Sequence, residues 1–257
     1  MSILLDTDRI DSVRFAEAAR RVAMEERISE GFSVYAERAV HKTVKLYIEP
    51  RPEMHEQPLL GCVCDILNEN GVTEVQTASF APLVPKLGRL LPEHRVTLVH
   101  PFAVHTAHRW LDRETGELSS PSSRGTSRIL HSACREIYRV REFIGHKNLS
   151  IVLLAYECEE FRALDGRGRD KKRGATLMGR LPTRLVGELV LTLPEDYRVF
   201  LPEGLPESFT AAEFLRAIKS RSRYDGVCLK LLEHLGIVRV SGKRGRASIY
   251  EAVGTDG

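Results

Sequence analysis

Cys62-Val63-Cys64-Asp65-Ile66-Leu67-Asn68-Glu69-Asn70-Gly71-Val72-Thr73-Glu74-Val75-Gln76-Thr77 reads as two short strands joined at Asn70-Gly71. Asn-Gly between apolar-rich runs favours a two-residue hairpin loop, because both residues tolerate positive φ. In that register Glu69 pairs with Val72, Leu67 with Glu74 and Asp65 with Gln76. Side chains alternate faces with period two and opposed residues share a face. Asp65, Glu74 and Gln76 are therefore expected on one face. The diagonal from Asp65 to Glu74, about 7–8 Å between backbones, lets both carboxylates reach one cation. Hard divalent metals take oxygen ligands, and Mg2+ is commonly held by one or two carboxylates with water and phosphate. The plain alternative is a hairpin whose polar face simply meets water.

Elements on either side extend the pattern. Upstream, Ser33 to Ile48 reads as a helix with Ala36, Val40, Val44 and Tyr47 as its apolar stripe. Glu37, His41 and Lys45 run along the border of that stripe. They can face a cleft between helix and sheet, or form an exposed ladder worth a few tenths of a kcal/mol (~0.2–0.5) per pair. His41 and Lys45 are alternatively phosphate contacts. Pro50 and Pro52 break the helix, and Met54 to Gly61 reads as a strand carrying His55 and Glu56. Glu56 suits either a metal shell or an edge-strand charge. Downstream, Phe80 to Leu91 reads as a helix with Pro82 in its first turn and Pro85 distorting its start. Lys86 and Arg89 on it are candidate contacts to a nucleic-acid backbone. Val96 to His100 follows as a buried strand.

Asp-x8-Glu-x-Gln in this order of helix, three strands, helix and strand resembles the PD-(D/E)xK, or restriction-endonuclease-like, nuclease superfamily, over about residues 33 to 102. The chain is also similar to a group of bacterial proteins sharing its His-Glu, Asp-Ile and Glu-x-Gln-Thr arrangement, a group without an established substrate. The superfamily resemblance implies a mixed α/β sheet flanked by helices and a metal-dependent endonuclease using Mg2+ or Mn2+. It implies that Asp65, Glu74 and the Val75 carbonyl hold the metal, joined by Glu37 or Glu56. Catalytic roles fall on Asp65, Glu74, Gln76 and Glu37. Gln76 stands where the superfamily usually has lysine. Glutamine can orient water but brings no positive charge to the transition state. The rival expectation is a non-catalytic DNA-binding or regulatory protein on a degenerate nuclease fold, and a third is a two-domain interaction protein.

The remainder bears on organisation and partners. A chain of 257 residues with 42% hydrophobic content and a net charge of +3 can hold one sizeable domain and a small one. Five cysteines, without a Cys-x-x-Cys pair, favour free thiols in a reducing compartment. The N-terminal residues lack an apolar run suited to a signal peptide, and no stretch suits a membrane span, so a cytoplasmic location is expected. Residues 8 to 29 read as a helix, with Phe15, Ala19 and Val22 at helical spacing. His100, His105 and His108 match no standard zinc spacing. Trp110 to Leu118 reads as a small hairpin, Ser127 to Ile144 as one long helix, and Leu149 to Tyr156 as a buried strand. The Gly-rich run at 165–174 concentrates Arg167, Arg169, Lys171, Lys172 and Arg173. It is either a phosphate-backbone contact or a solvated loop.

Pro202 to Pro206 marks the expected boundary, dividing the chain into an N-terminal extension (1–32), an α/β domain (33–202) and a C-terminal unit (203–257). Thr210 with Glu213 forms a capping box, opening a helix-turn-helix and a basic hairpin. This arrangement resembles a winged helix, although the usual first helix is not evident. From Ser208 to Val253 there are nine Lys and Arg against four acids, a larger excess than the whole chain carries. The resemblance implies DNA contacts at Arg221, Arg223, Tyr224 and Lys230 on the second helix and at Lys243, Arg244 and Arg246 on the wing. Winged helices also serve as protein-protein modules. Cutting both DNA strands would call for a homodimer.

Overall fold

The computed structural model describes residues 5–8, 10–29, 36–112, 115–122, 126, 127, 129–165, 174–220 and 222–254, without the side chains of 26–29, 36–38, 126, 127 and 223. A mixed sheet forms its spine: β1 (His55–Leu59), β2 (Cys62–Asn68), β3 (Gly71–Val75), β4 (Val96–Leu111), β6 (Leu149–Leu164) and β7 (Ala175–Leu191), adjacent in that order. The two-residue β5 (Thr126–Ser127) pairs with β4. β1–β2, β2–β3 and β6–β7 are antiparallel, whereas β3–β4 and β4–β6 are parallel. The parallel centre explains the near-continuous apolar runs of Val96–Val99 and Leu149–Ala155, which need cover on both faces.

Alternate residues of those runs feed two cores. Val75, Val99 and Leu154 pack with Phe15 of α1 (Ser12–Ser29) and with Val40 and Val44 of α2 (Ala36–Ile48). Val72, Leu98 and Leu153 pack on the opposite face with Leu87 and Leu90 of α3 (Val84–Leu90). A 3-10 turn at Ala81–Leu83 precedes α3, the distorted start that Pro85 foretold. Residues 130–143 depart from the expected long helix. They form 3-10 turns at Leu130–Ala133 and Tyr138–Phe143 around the four-residue α4 (Cys134–Ile137). Buried Cys134, Ile137 and Val140 recur every third residue, and a three-residue turn stacks such side chains in line.

The second core continues into the C-terminal unit through Phe209, Phe214, Cys228, Leu231 and Leu232. There, β8 (Ser208–Thr210), α5 (Ala211–Ala217), α6 (Val227–His234), β9 (Val238–Arg244) and β10 (Ala247–Ala252) build a small sheet of order β8-β10-β9 beneath two helices. Thr210 Oγ1 accepts from the Glu213 N–H while the Glu213 carboxylate accepts from the Thr210 N–H, the capping box read in sequence. Cys134 Sγ and Cys228 Sγ are 3.1 Å apart where α4 meets α6. Among the described residues no helix is long and apolar enough to cross a membrane.

Candidate active site

The hairpin turns one step earlier than its Asn-Gly signal suggests. Asn68 pairs with Gly71, Leu67 with Val72 and Ile66 with Thr73, so Glu69-Asn70 is the loop. Gly71 carries φ +110° inside β3, and a Cβ there would lie 2.6 Å from the Arg95 carbonyl oxygen. Glycine is thus required by close backbone approach. Continued, the two-residue change of register would set Asp65 opposite Glu74 rather than Gln76, but the pairing ends before it reaches them.

Beyond Ile66–Thr73 the ladder stops, and the two acids fill the split. Asp65 Oδ2 accepts the Val75 N–H at 2.8 Å, and the Glu74 carboxylate accepts the Asp65 N–H. Each acid therefore caps the other's strand where the ladder fails. They do not share one solvent face. Asp65 meets His41 of α2, Nε2 to Oδ2 3.2 Å, and Glu74 meets Lys86 of α3, Nζ to Oε1 2.5 Å. These helices lie on opposite sides of the sheet, so the pair bridges its thickness.

Burial and charge push the two carboxyls apart. For Asp65, burial acts upward, but the His41 contact and charge, the Val75 N–H and the Lys45 charge outweigh it and hold the pKa below its ordinary value. For Glu74, burial dominates, Asp65 adds repulsion, and the pKa stays raised despite Lys86. Glu74 is 2% exposed, and its Oε1 has no well-aligned hydrogen-bond donor, only the ion pair. Paired groups with opposed shifts are a common signature of acid–base sites.

Other sequence candidates take varied positions. Gln76 follows β3; its N–H donates to the Val99 carbonyl and its own carbonyl accepts from His100 Nδ1 at 2.7 Å. Glu56, with φ +51°, forms an ion pair with the buried Lys45, one turn after His41. His41 and Lys45 thus meet acids, as polar groups on a helix border can. Glu37 belongs to α2, and its side chain lies outside the described residues, as do Arg167, Arg169, Lys171, Lys172, Arg173 and Arg221 entirely. Arg223 opens the turn before α6, and its side chain is likewise undescribed. Tyr224 is exposed beneath the Arg135 guanidinium. Lys230, Lys243, Arg244 and Arg246 are exposed, with Arg244 paired to Glu213. Among the described residues, no three His, Cys, Asp or Glu side chains converge as a metal cluster. Sequence reading took Lys86 as a candidate contact to a nucleic-acid backbone; its contact with Glu74 depends on packing against the sheet.

The fold is a mixed α/β sheet between helices, with an acid pair set where two strands part. The chain belongs to the family described as a domain of unknown function (DUF8091), whose model matches residues 38–192. That span holds Asp65, Glu74, Gln76 and Lys86 and ends before the C-terminal unit. A protein of Treponema pallidum (strain Nichols), described as uncharacterized, is 27% identical over 219 residues, covering 83% of this chain and 84% of its own length. No solved structure matches the chain.

Proposed function

We propose that the chain is a metal-dependent DNA endonuclease, with a restriction-endonuclease-like core and a C-terminal winged-helix-like DNA-binding unit. The interlocked Asp65 and Glu74 carboxylates, coupled through backbone N–H groups and driven apart in pKa, carry this reading. Asp65, Glu74 and the Val75 carbonyl would be the oxygen donors for a hard cation; as they stand they do not fit one, since the carboxylates lie on opposite sides of the sheet and Glu74 is paired with Lys86, so a shared cation requires both side chains to turn. Bound Mg2+ or Mn2+ would polarise the scissile phosphate and lower the pKa of a water. Asp65 stays anionic at neutral pH, His41 and the Val75 N–H fix its position, and Gln76 orients the water. Glu37 and Glu56 stand as supporting acids. The strand–helix–helix–hairpin order of the C-terminal unit, with sheet order β8-β10-β9, supports the winged-helix part. Lys230, Lys243, Arg244, Arg246 and the basic run at 167–173 are its proposed backbone contacts. A cytoplasmic homodimer suits cleavage of both strands.

The contact of Lys86 with Glu74 favours a second reading, a non-catalytic DNA-binding or regulatory protein, since that acid already has a counter-charge. Incubation with plasmid and single-stranded DNA in Mg2+ or Mn2+ separates the two. The nuclease reading expects cleavage that Asp65→Ala and Glu74→Ala both abolish. Salt-sensitive DNA binding without cleavage under any metal supports the regulator.

A further inference from the structure

We propose that Cys134 and Cys228 form a peroxide-sensitive clasp: oxidation joins them as a disulfide and fixes the C-terminal unit on the α/β domain. Neither DNA nor a metal takes part, so the clasp stands apart from the nuclease reading.

The two thiols come from opposite sides of the 202–206 boundary. Cys134 opens α4, and Cys228 is the second residue of α6. They are 94 residues apart in sequence, yet their sulfurs lie 3.1 Å from one another. Both are fully buried, in the core that α4 shares with α6 through Ile137, Leu231 and Leu232. A buried cysteine commonly serves as a small apolar filler. That role suffices for Cys158, whose sulfur meets the Thr106 hydroxyl at 3.4 Å. It does not call for two sulfurs at one point, because a thiol is a weak donor and a weak acceptor. Closing 3.1 Å to a disulfide bond of about 2.05 Å moves the sulfurs by about 1 Å. The surrounding contact is already in place. One turn before Cys134, the His131 ring lies edge-on to Phe214 of α5, with centroids 6.2 Å apart. The bond therefore locks an existing contact rather than making a new one.

Hydrogen peroxide supplies the oxidant. One sulfur, as its thiolate, attacks a peroxide oxygen and breaks the O–O bond. It becomes a sulfenic acid, and the departing hydroxide takes up the thiol proton as water. The second sulfur then attacks the sulfenic sulfur. Its proton leaves with the hydroxyl as a second water, and the S–S bond forms. Two electrons pass from the thiol pair to one peroxide. Burial pushes the Cys134 thiol pKa up, which disfavours the thiolate that must attack. Reaction therefore proceeds on brief openings of the contact between α4 and α6. The reduced pair is the resting state, and sustained oxidant closes the clasp.

The test uses the full chain carrying Cys62→Ser, which removes the half-exposed thiol open to cross-linking between chains. Circular dichroism confirms its fold. The reduced protein is incubated with hydrogen peroxide, quenched with catalase, alkylated in denaturant and digested for mass spectrometry. One cross-linked pair of peptides carrying Cys134 and Cys228 is expected, with Cys64 and Cys158 still alkylated. The oxidised chain should melt about 5 °C or more above the reduced chain, because the bond closes a long loop in the unfolded state. Dithiothreitol should return it to the reduced value. Cys134→Ala and Cys228→Ala, each added to Cys62→Ser, should lose both the cross-link and the shift. Cross-link and reversal are read on the Cys62→Ser chain itself, so the test holds even where an alanine variant does not fold. Peroxide that leaves both thiols alkylatable, or takes either to sulfinic acid without a cross-link, overturns the proposal. A cross-link that leaves the melting point unchanged overturns the clasp.

Discussion

Glu160 offers a quantitative test of how the long strands are held together. It is 2% exposed in the middle of β6, with His108 of β4 opposite on one side and Arg180 of β7 opposite on the other. Arg162 Nε donates to it at 2.6 Å and Arg180 Nε at 2.8 Å. Burial acts upward on this carboxyl, but the two arginine hydrogen bonds and charges prevail and hold its pKa below the ordinary value. Removing one member of a buried ion pair costs about 3–5 kcal/mol. Glu160→Gln keeps one acceptor, and the Arg162 and Arg180 side chains, 27% and 43% exposed, recover some hydration. The expected cost is therefore about 2 kcal/mol, or a melting point about 4–8 °C lower for a chain of this size. Because the folded pKa is depressed, this stabilisation is complete above the unfolded value and is lost as pH falls through the folded one. The gap between wild type and Glu160→Gln should thus hold from neutral pH down to the ordinary glutamate pKa, about 4.3, and narrow below it. Trp110, the chain's single tryptophan, pairs with Arg162 across β4 and β6 and reports melting by fluorescence. A variant melting within about 1 °C of wild type at pH 7, or a gap unchanged in acid, refutes the reasoning.

Gly71→Ala should cost more than ~1 kcal/mol, since it combines positive φ with contact against the Arg95 carbonyl; urea unfolding that matches wild type contradicts this. In native protein a thiol reagent should label the half-exposed Cys62 rapidly and leave buried Cys64, Cys134, Cys158 and Cys228 until denaturation, as mass spectrometry can count. Glu49 is lowered to about 2, first by its Arg51 hydrogen bonds, against burial, and then by Asn68. Its cover comes mainly from those partners, so screening trims its contribution to about 1–2 kcal/mol, full above pH ~4.5 and lost towards pH ~2. Stability curves of wild type and Glu49→Gln should converge over that window, and parallel curves would exclude it.

The parts of the fold written in local chemistry were legible. Thr210 and Glu213 specify a cap through neighbouring backbone groups, and the apolar runs of β4 and β6 announce buried strands. The hairpin was legible in its alternation but not in its turn. Asn68 Oδ1 accepts the Asn70 N–H at 2.9 Å, and Gly71 is needed against Arg95, a contact from another element. β7 was obscured by Pro182 and Gly187, which a central strand would not carry readily. It lies at the sheet edge, where proline is tolerated, and Leu5 and Asp6 pass close to Gly187. The proximity of Asp65 and Glu74 was readable from spacing. Their separation onto two sides of the sheet, and the approach of Lys86, arise from where β2 and β3 part and where α3 lands.

The central claim is that Asp65 and Glu74 act together on one divalent cation. Calorimetric titration of Mn2+ into wild type, Asp65→Ala and Glu74→Ala tests it most directly. The account predicts one site per chain in wild type and its loss in both variants. Equal binding by all three, or no binding by wild type, would contradict it.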